Sequence, residues 1–275
     1  MTGVQTCALP IWPRQIGRLS FGCARILGGA EALATQRLIE TALDCGIRHF
    51  DTAPSYGAGH SERLLGDVIA GMTDVMVTTK VGIARPPLDQ KPSAARALYR
   101  RFLRPALAMT PALKRALLGA AVRPPSGAPA APKVRLSVAT VQASLDESER
   151  FLRRRVDIYL LHEPDRLVLD DGVADHFSQW RAEGRIGAFG WGTGSVPSAP
   201  LEFGTIRQQL YDPACPLLAE ADRRVIFHGI LRSAQLAGAS ASERLASALV
   251  AHPNASFIFS ASAPTQIRQL VDRSR

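Results

Sequence analysis

The sequence predicts one α/β domain, a (β/α)8 barrel of the TIM type, on three observations. From Arg18 onward, short β-rich runs alternate with helical patterns about eight times, the order that joins parallel strands through crossover helices. The length of 275 residues suits such a barrel, which commonly needs about 250. No GxGxxG follows the first strand, which speaks against an open, doubly wound dinucleotide-binding sheet.

The elements follow in order. Leu19–Cys23 reads as the first strand. A helix follows in EALATQRLIETALDCG, with Leu33, Leu38, Ile39, Ala42 and Leu43 on one face and Gly46 where a helix-ending glycine belongs. Ile47–Asp51 is the second strand, SERLLGDVIAG from Ser61 the second helix, and the β-branched run Val75–Thr79 the third strand. Ser137 is placed to cap a helix whose Val138, Val141, Leu145 and Leu152 face inward, and strand Asp157–Leu161 comes next. A helix over ADHFSQWRAEG, closed by Gly184, leads to strand Ile186–Gly190. Weaker signals mark strands near Thr205, Val225 and Phe257, a helix from about Ser242 to Ala251, and a last short helix opened by Pro264.

Composition bounds the function. With 46% hydrophobic and 21% charged residues, the chain can bury a large core, and it holds no apolar run of the roughly 18 residues that would cross a bilayer. We therefore expect a soluble, cytoplasmic protein without a membrane partner. Cys7, Cys23, Cys45 and Cys215 are scattered without paired spacing, so they suggest neither a metal site nor a disulfide framework. The net charge of +9 sits in one place. Between Val81 and Arg135, eleven basic residues face only Asp89, a local +10 that leaves the rest of the chain at −1, which argues against a nucleic-acid partner. This segment, about Ile83 to Arg135, is rich in Pro, Ala and Arg and reads as an insertion after the third strand. It reads first as a solvated excursion, then as a lid, and last as a membrane or nucleic-acid contact, with SAARALYRRFL and PALKRALLGAAV as short basic helices and PSGAPAAP as a linker. Met1–Ile11 resembles the in-frame translation of a sequencing adapter, which would make residues 1–11 a non-native leader and 12–275 the domain.

Three ionisable residues stand at the carboxyl ends of expected strands. Asp51 ends IRHFD, Lys80 follows VMVTT and His162 follows DIYLL. In a barrel these positions converge on the catalytic face. Each has an ordinary explanation alone, as a cap, a solvated charge or a hydrogen-bonded turn histidine. Strand ends have no structural need for this mixture, however. Tyr56 lies in the Gly- and Pro-bearing loop DTAPSYGAG that can turn back over the same mouth. A phenol, with its pKa near 10, exchanges protons poorly at neutral pH unless a cation stabilises the phenolate. Lys80 would be that cation, Asp51 would hold it charged, and a neutral His162 would hydrogen-bond a substrate carbonyl oxygen.

FDTAPSYGAGHSERLLG, VTTKVG, DIYLLHEPD and EGRIGAFGWG resemble, in order and spacing, the successive motifs of the aldo-keto reductase family. The resemblance runs from about Arg18 to the carboxyl terminus, outside the insertion. It implies that Asp51, Tyr56, Lys80 and His162 form the family's catalytic tetrad. It further implies hydride transfer between a nicotinamide cofactor, usually NADP with NAD as the alternative, and a small carbonyl compound or sugar. By the same resemblance, Gln208 matches the glutamine that bonds the nicotinamide carboxamide, and Ser262 and Gln266 lie where the adenosine phosphate is held. Gly192 and Thr193 stand in place of a Ser-Asn pair, His228 in place of an aromatic that stacks on nicotinamide, and Gln266 in place of an arginine for the 2′-phosphate. The loops around the substrate would include Trp191 and the insertion. These departures keep open a regulatory subunit that binds nicotinamide without useful turnover. A Schiff-base lyase on Lys80 is disfavoured, because a neighbouring Asp51 keeps the amine charged. Nothing in the sequence sets the oligomeric state.

Overall fold

Eight parallel strands close into a barrel in the order β1, β10, β9, β8, β7, β5, β3, β2. In chain order the first elements are β1 (Leu19–Gly22), α1 (Ala32–Asp44), β2 (His49–Asp51), α2 (Ser61–Ile69) and β3 (Met76–Val81). Next come β4 (Val134–Leu136), α3 (Val138–Leu152), β5 (Ile158–His162), β6 (Leu167–Leu169) and α4 (Val173–Ala182). The last are β7 (Ala188–Gly192), β8 (Ile206–Leu210), β9 (Arg224–His228), α5 (Ala241–Ala251), β10 (Ser256–Phe259) and α6 (Pro264–Asp272). The structure, a computed structural model, describes residues 16–87, 133–196, 201–215, 224–232 and 238–272. The chain divides into two units, Met1–Pro86 with Lys133–Arg275 and Pro87–Pro132. The barrel belongs to the first. The expected leader and the expected basic helices and linker of the insertion lie outside the described residues.

Strand alternation sorts the side chains into two cores. Inside the barrel, Met76, Ile158, Leu160, Ala188, Ile206, Ile226 and Ile258 pack above Ile16. Alongside them sits a polar cluster, in which buried His49 bridges Ser20 Oγ at 2.6 Å and Thr78 Oγ1 at 2.8 Å. The larger core lies outside the strands, where Phe21, Phe50, Val77, Tyr159, Phe189 and Phe257 meet the helices. Ser137 caps α3 by accepting from Thr140 N at 3.2 Å, and the expected Val141, Leu145 and Leu152 are buried.

Several expectations shift. Lys80 lies within β3 and His162 is the last residue of β5. The ladder continues past the β-branched run because Lys80 pairs with Leu160 and His162 with Gly192. Leu33 is 73% exposed: nine residues before inward-facing Ala42, it lies two and a half turns away on the opposite side of α1. The parallel pair β4–β6 is an addition that the sequence did not signal.

Six α-helices occur among the described residues, fewer than one per strand. Between β7 and β8, the chain covers the outer face of the sheet with Phe203, whose ring meets Phe177 at 5.1 Å and Phe189 at 5.2 Å. Buried Arg207 donates to the carbonyls of Phe203 at 2.8 Å and Gly204 at 2.9 Å, which satisfies the turn that leads into β8.

Candidate active site

The carboxyl ends of β2, β3 and β5 and the turn after β2 bring four side chains together. Lys80 Nζ donates to Asp51 Oδ1 at 2.7 Å and to the carbonyl of Thr52 at 2.8 Å. It also lies 4.8 Å from the centre of the Tyr56 ring. The rings of Tyr56 and His162 meet edge to face, 5.8 Å apart. Tyr56 opens a 3-10 turn, Tyr56–Gly59, in which Gly57 takes φ 61°. A Cβ at Gly57 would come within 1.9 Å of the carbonyl oxygen of Ile26, so only glycine lets this turn press against the β1 side of the mouth.

The far side of the turn is pinned to β3. Fully buried Glu62 of α2 accepts from Thr79 Oγ1, the neighbour of Lys80, and forms an ion pair with Arg85. Arg85 also donates to the carbonyl of Gly59 at 2.8 Å, pairs with Glu147 Oε2 at 3.2 Å and covers the Phe151 ring at 4.1 Å. Thr52 Oγ1 and Ser61 Oγ, 2.8 Å apart, add a second tie between β2 and α2.

Burial sets the charges at this end. It pushes the Tyr56 pKa above the usual phenol value, and the opposing Lys80 ammonium only moderates that rise, so Tyr56 rests protonated. Burial works to lower the Lys80 pKa, but the Asp51 carboxylate and the Tyr56 phenol more than reverse it, holding the ammonium charged. His162 is pushed down to about 3, by burial first and the Lys80 charge second, and is therefore neutral.

A cleft of about 620 Å³ runs from these four residues along the carboxyl ends of β9 and β10 to the amino ends of α5 and α6. Every residue expected at the cofactor lines it: Thr193, Gln208, His228, Ser262 and Gln266. Gln208 Nε2 donates to Asp51 Oδ1 at 3.0 Å, while its Oε1 is buried and accepts nothing among the described residues. Thr193 Oγ1 donates to Glu163 Oε2 at 2.9 Å, and His228 Nε2 donates to the Thr193 carbonyl at 2.7 Å. Gln266 Oε1 turns back to the Ser262 backbone N–H at 2.9 Å.

Trp191 is a correction. It is 1% exposed and its Nε1 donates to the Leu201 carbonyl at 2.9 Å, away from the cleft. Gly190 and Gly192 take the inward positions of β7, and alternation sends Trp191 to the outer core. Glu163 and Arg232 also line the cleft, two residues that the sequence does not single out. Glu163 directly follows His162 in HEPD, but its left-handed backbone, φ 56° and ψ 65°, leaves no sequence signal. Arg232 is the one cation besides Lys80 among the described residues lining the cleft.

The chain and its barrel have counterparts among known proteins. The model of the Aldo/keto reductase family matches residues 18–199, and the chain belongs to that family. D-threo-aldose 1-dehydrogenase of a Pseudomonas species is 30% identical over 187 residues, 65% of this chain and 50% of that protein. Pyridoxal 4-dehydrogenase of Microbacterium luteolum is 39% identical over 82 residues, 30% of this chain and 22% of that protein. The chain spans half or less of the length of these relatives. Glycerol dehydrogenase of Gluconobacter oxydans superposes with a TM-score of 0.60 at 19% identity, covering 96% of this chain and 88% of that one. An aldo-keto reductase from Klebsiella pneumoniae, solved in complex with NADPH, gives 0.58 at 16% identity, covering 94% and 86%. At these identities the likeness speaks for the fold. No helix among the described residues is long and apolar enough to cross a membrane.

Proposed function

We propose that this chain is a nicotinamide-dependent oxidoreductase that interconverts a small carbonyl compound or sugar with its alcohol, using Tyr56 as the proton donor. The observation that carries this reading is Lys80, buried and paired with Asp51 directly beneath the Tyr56 ring, with neutral His162 across from it. The cleft suits a nicotinamide dinucleotide. The orphaned Gln208 Oε1 calls for an N–H donor such as a carboxamide, and two helix amino ends and Arg232 face the far end where phosphates would lie. Gln208, Thr193 and His228 would hold the nicotinamide, with Ser262 and Gln266 at the adenosine end. A reduced nicotinamide held by these residues would supply hydride to a carbonyl carbon.

The chain's own residues do the rest. His162, neutral, donates a hydrogen bond to the carbonyl oxygen and holds it beside Tyr56. As the carbon–oxygen π electrons move onto that oxygen, it takes the phenolic proton of Tyr56. Lys80 then faces the phenolate, Asp51 keeps the ammonium in place, and a solvent proton restores the phenol. Alcohol oxidation runs the same path backwards. NADP is the proposed dinucleotide, with NAD as the alternative, since Gln266 brings an amide rather than a cation to the adenosine end. A thermal-shift comparison of NADPH with NADH distinguishes them.

The test is NADPH consumption with a panel of aldehydes and sugars, an aldose and pyridoxal among them. Tyr56→Phe should lower kcat by about a hundredfold or more, the usual contribution of a positioned proton donor, with little effect on dinucleotide affinity. Unchanged turnover in Tyr56→Phe would remove the proton-donor role. Tight binding without turnover of any carbonyl would favour a regulatory subunit, for which the already engaged Thr193 hydroxyl is the structural argument.

A further inference from the structure

The geometry points to Gln208 as a positioning residue that ties the seat of the nicotinamide to the proton donor, so that filling one sets the other. This inference rests on the reading of the cleft given above. Gln208 enters the barrel mouth from β8 beside Gly192 of β7. Its side-chain amide reaches β2 and donates to Asp51 Oδ1 at 3.0 Å, the same oxygen that Lys80 holds at 2.7 Å. The orientation of the amide is fixed by chemistry. A carboxylate only accepts, so Nε2 must face Asp51 and Oε1 must face away. Oε1 is then left buried without a donor among the described residues, a state that costs free energy until an N–H arrives. Gly192 makes the room: a Cβ there would lie 3.0 Å from Oε1 and 3.5 Å from Lys80 Cε.

One planar amide therefore has the carboxamide seat on its oxygen side and the acid–base pair on its nitrogen side. A donor placed on Oε1 polarises the amide and strengthens the hydrogen bond from Nε2 to Asp51. An Asp51 carboxylate better satisfied by Gln208 draws less on the Lys80 ammonium, which is then freer to stabilise the phenolate of Tyr56. The other titratable groups facing this cluster are His162 across the mouth, Glu163 at its rim, which accepts from Thr193, Cys23 at the end of β1 and His49 beneath, and none of them hydrogen-bonds Asp51. Seating the nicotinamide should therefore make Tyr56 a readier proton donor.

The experiment compares wild type, Gln208→Met, Gly192→Ala and the double variant. Gln208→Met keeps the length of the side chain and removes both hydrogen bonds, and Gly192→Ala crowds Oε1 with a methyl group that offers it no donor and does not touch Asp51. Two quantities are read: the Kd for NADPH by tryptophan-fluorescence quenching, which needs no turnover, and the pH at which kcat for reduction falls to half on the alkaline side. Gln208→Met should raise Kd about tenfold and move the alkaline midpoint upward by about half a unit or more, because Tyr56 then holds its proton more tightly. Gly192→Ala should do both to a lesser degree and add little in the Gln208→Met background, since it acts through the same atom. A raised Kd with an unmoved midpoint overturns the inference and leaves Gln208 a carboxamide ligand only. Full additivity of the two substitutions overturns it as well. A wild-type protein that binds no nicotinamide dinucleotide sinks the reading of the cleft itself, a result distinct from either.

Discussion

Replacing Arg85 with methionine should destabilise the barrel by stranding a buried carboxylate. The guanidinium touches Glu62, Glu147, the carbonyl of Gly59 and the face of Phe151, and its side chain is 8% exposed, while that of Glu62 is 0%. Methionine preserves the apolar stem over Phe151 but leaves Glu62 as a buried carboxylate with the Thr79 hydroxyl as its remaining partner. Breaking one side of such a pair costs about 3 to 5 kcal/mol, because the remaining charge stays desolvated. In a chain of this size that corresponds to a fall in Tm on the order of 10 °C. Urea denaturation followed by circular dichroism gives the free energy, and a double-mutant cycle with Glu62→Gln identifies its source. Once the carboxylate is neutral, Arg85→Met should cost much less, so the double variant should be more stable than the sum of the two losses implies. Additive losses, or a loss below about 1 kcal/mol in Arg85→Met alone, would show that the pair does not hold the Tyr56 turn to β3.

Two further outcomes follow from the barrel interior and its packing. Burial holds His49 down at about 4 against an unfolded value of 6.5, so between these pH values the unfolded chain takes up a proton that the folded chain refuses. That neutral histidine contributes on the order of 3 kcal/mol above pH 6.5, lost progressively as pH falls toward 4. His49→Gln should flatten this part of the acid-stability curve, and a curve with unchanged slope would contradict it. At Gly66, a Cβ would stand 2.5 Å from the carbonyl oxygen of Phe151 and 2.7 Å from that of Leu152, so α2 and α3 must move apart to admit alanine. Gly66→Ala should cost about 1 to 3 kcal/mol by thermal denaturation, and a neutral result would mean that the helices are not in backbone contact there.

The barrel was legible because its signal is local and repeated. Each of Leu19, Ile47, Val75, Asp157 and Ile186 opens a short apolar run bounded by helix patterns, and a local pattern survives whatever the rest of the chain does. Helix ends with capping chemistry were read well for the same reason, as at Ser137 and Pro264. Strand ends were read less well, since the ladder at Lys80 and Gly192 extends until its partner strand stops bonding, and that partner lies tens of residues away. The turn that leads into β8 depends on Arg207 satisfying carbonyls in its own loop, which no periodicity announces.

The site divides along the same line. Asp51, Lys80 and His162 could be placed because each ends a strand, and strand ends of a parallel barrel share one face whatever the tertiary detail. Trp191 was misplaced by the opposite error. Its neighbourhood in sequence suggested the mouth, but the pleat alternates, so the residue between two inward glycines must point outward. Gln208 marks where residue types cease to be informative. The sequence shows that an amide stands on β8 and a glycine on β7, and it is equally consistent with a glutamine that waits for a ligand with both ends free. Only the closing of the barrel brings an oxygen of Asp51 within reach of that amide, 157 residues earlier in the chain, and decides which end is left to receive a donor. A glutamine so placed is part of the acid–base machinery before any ligand arrives, which is why its substitution is expected to move a pH midpoint as well as an affinity.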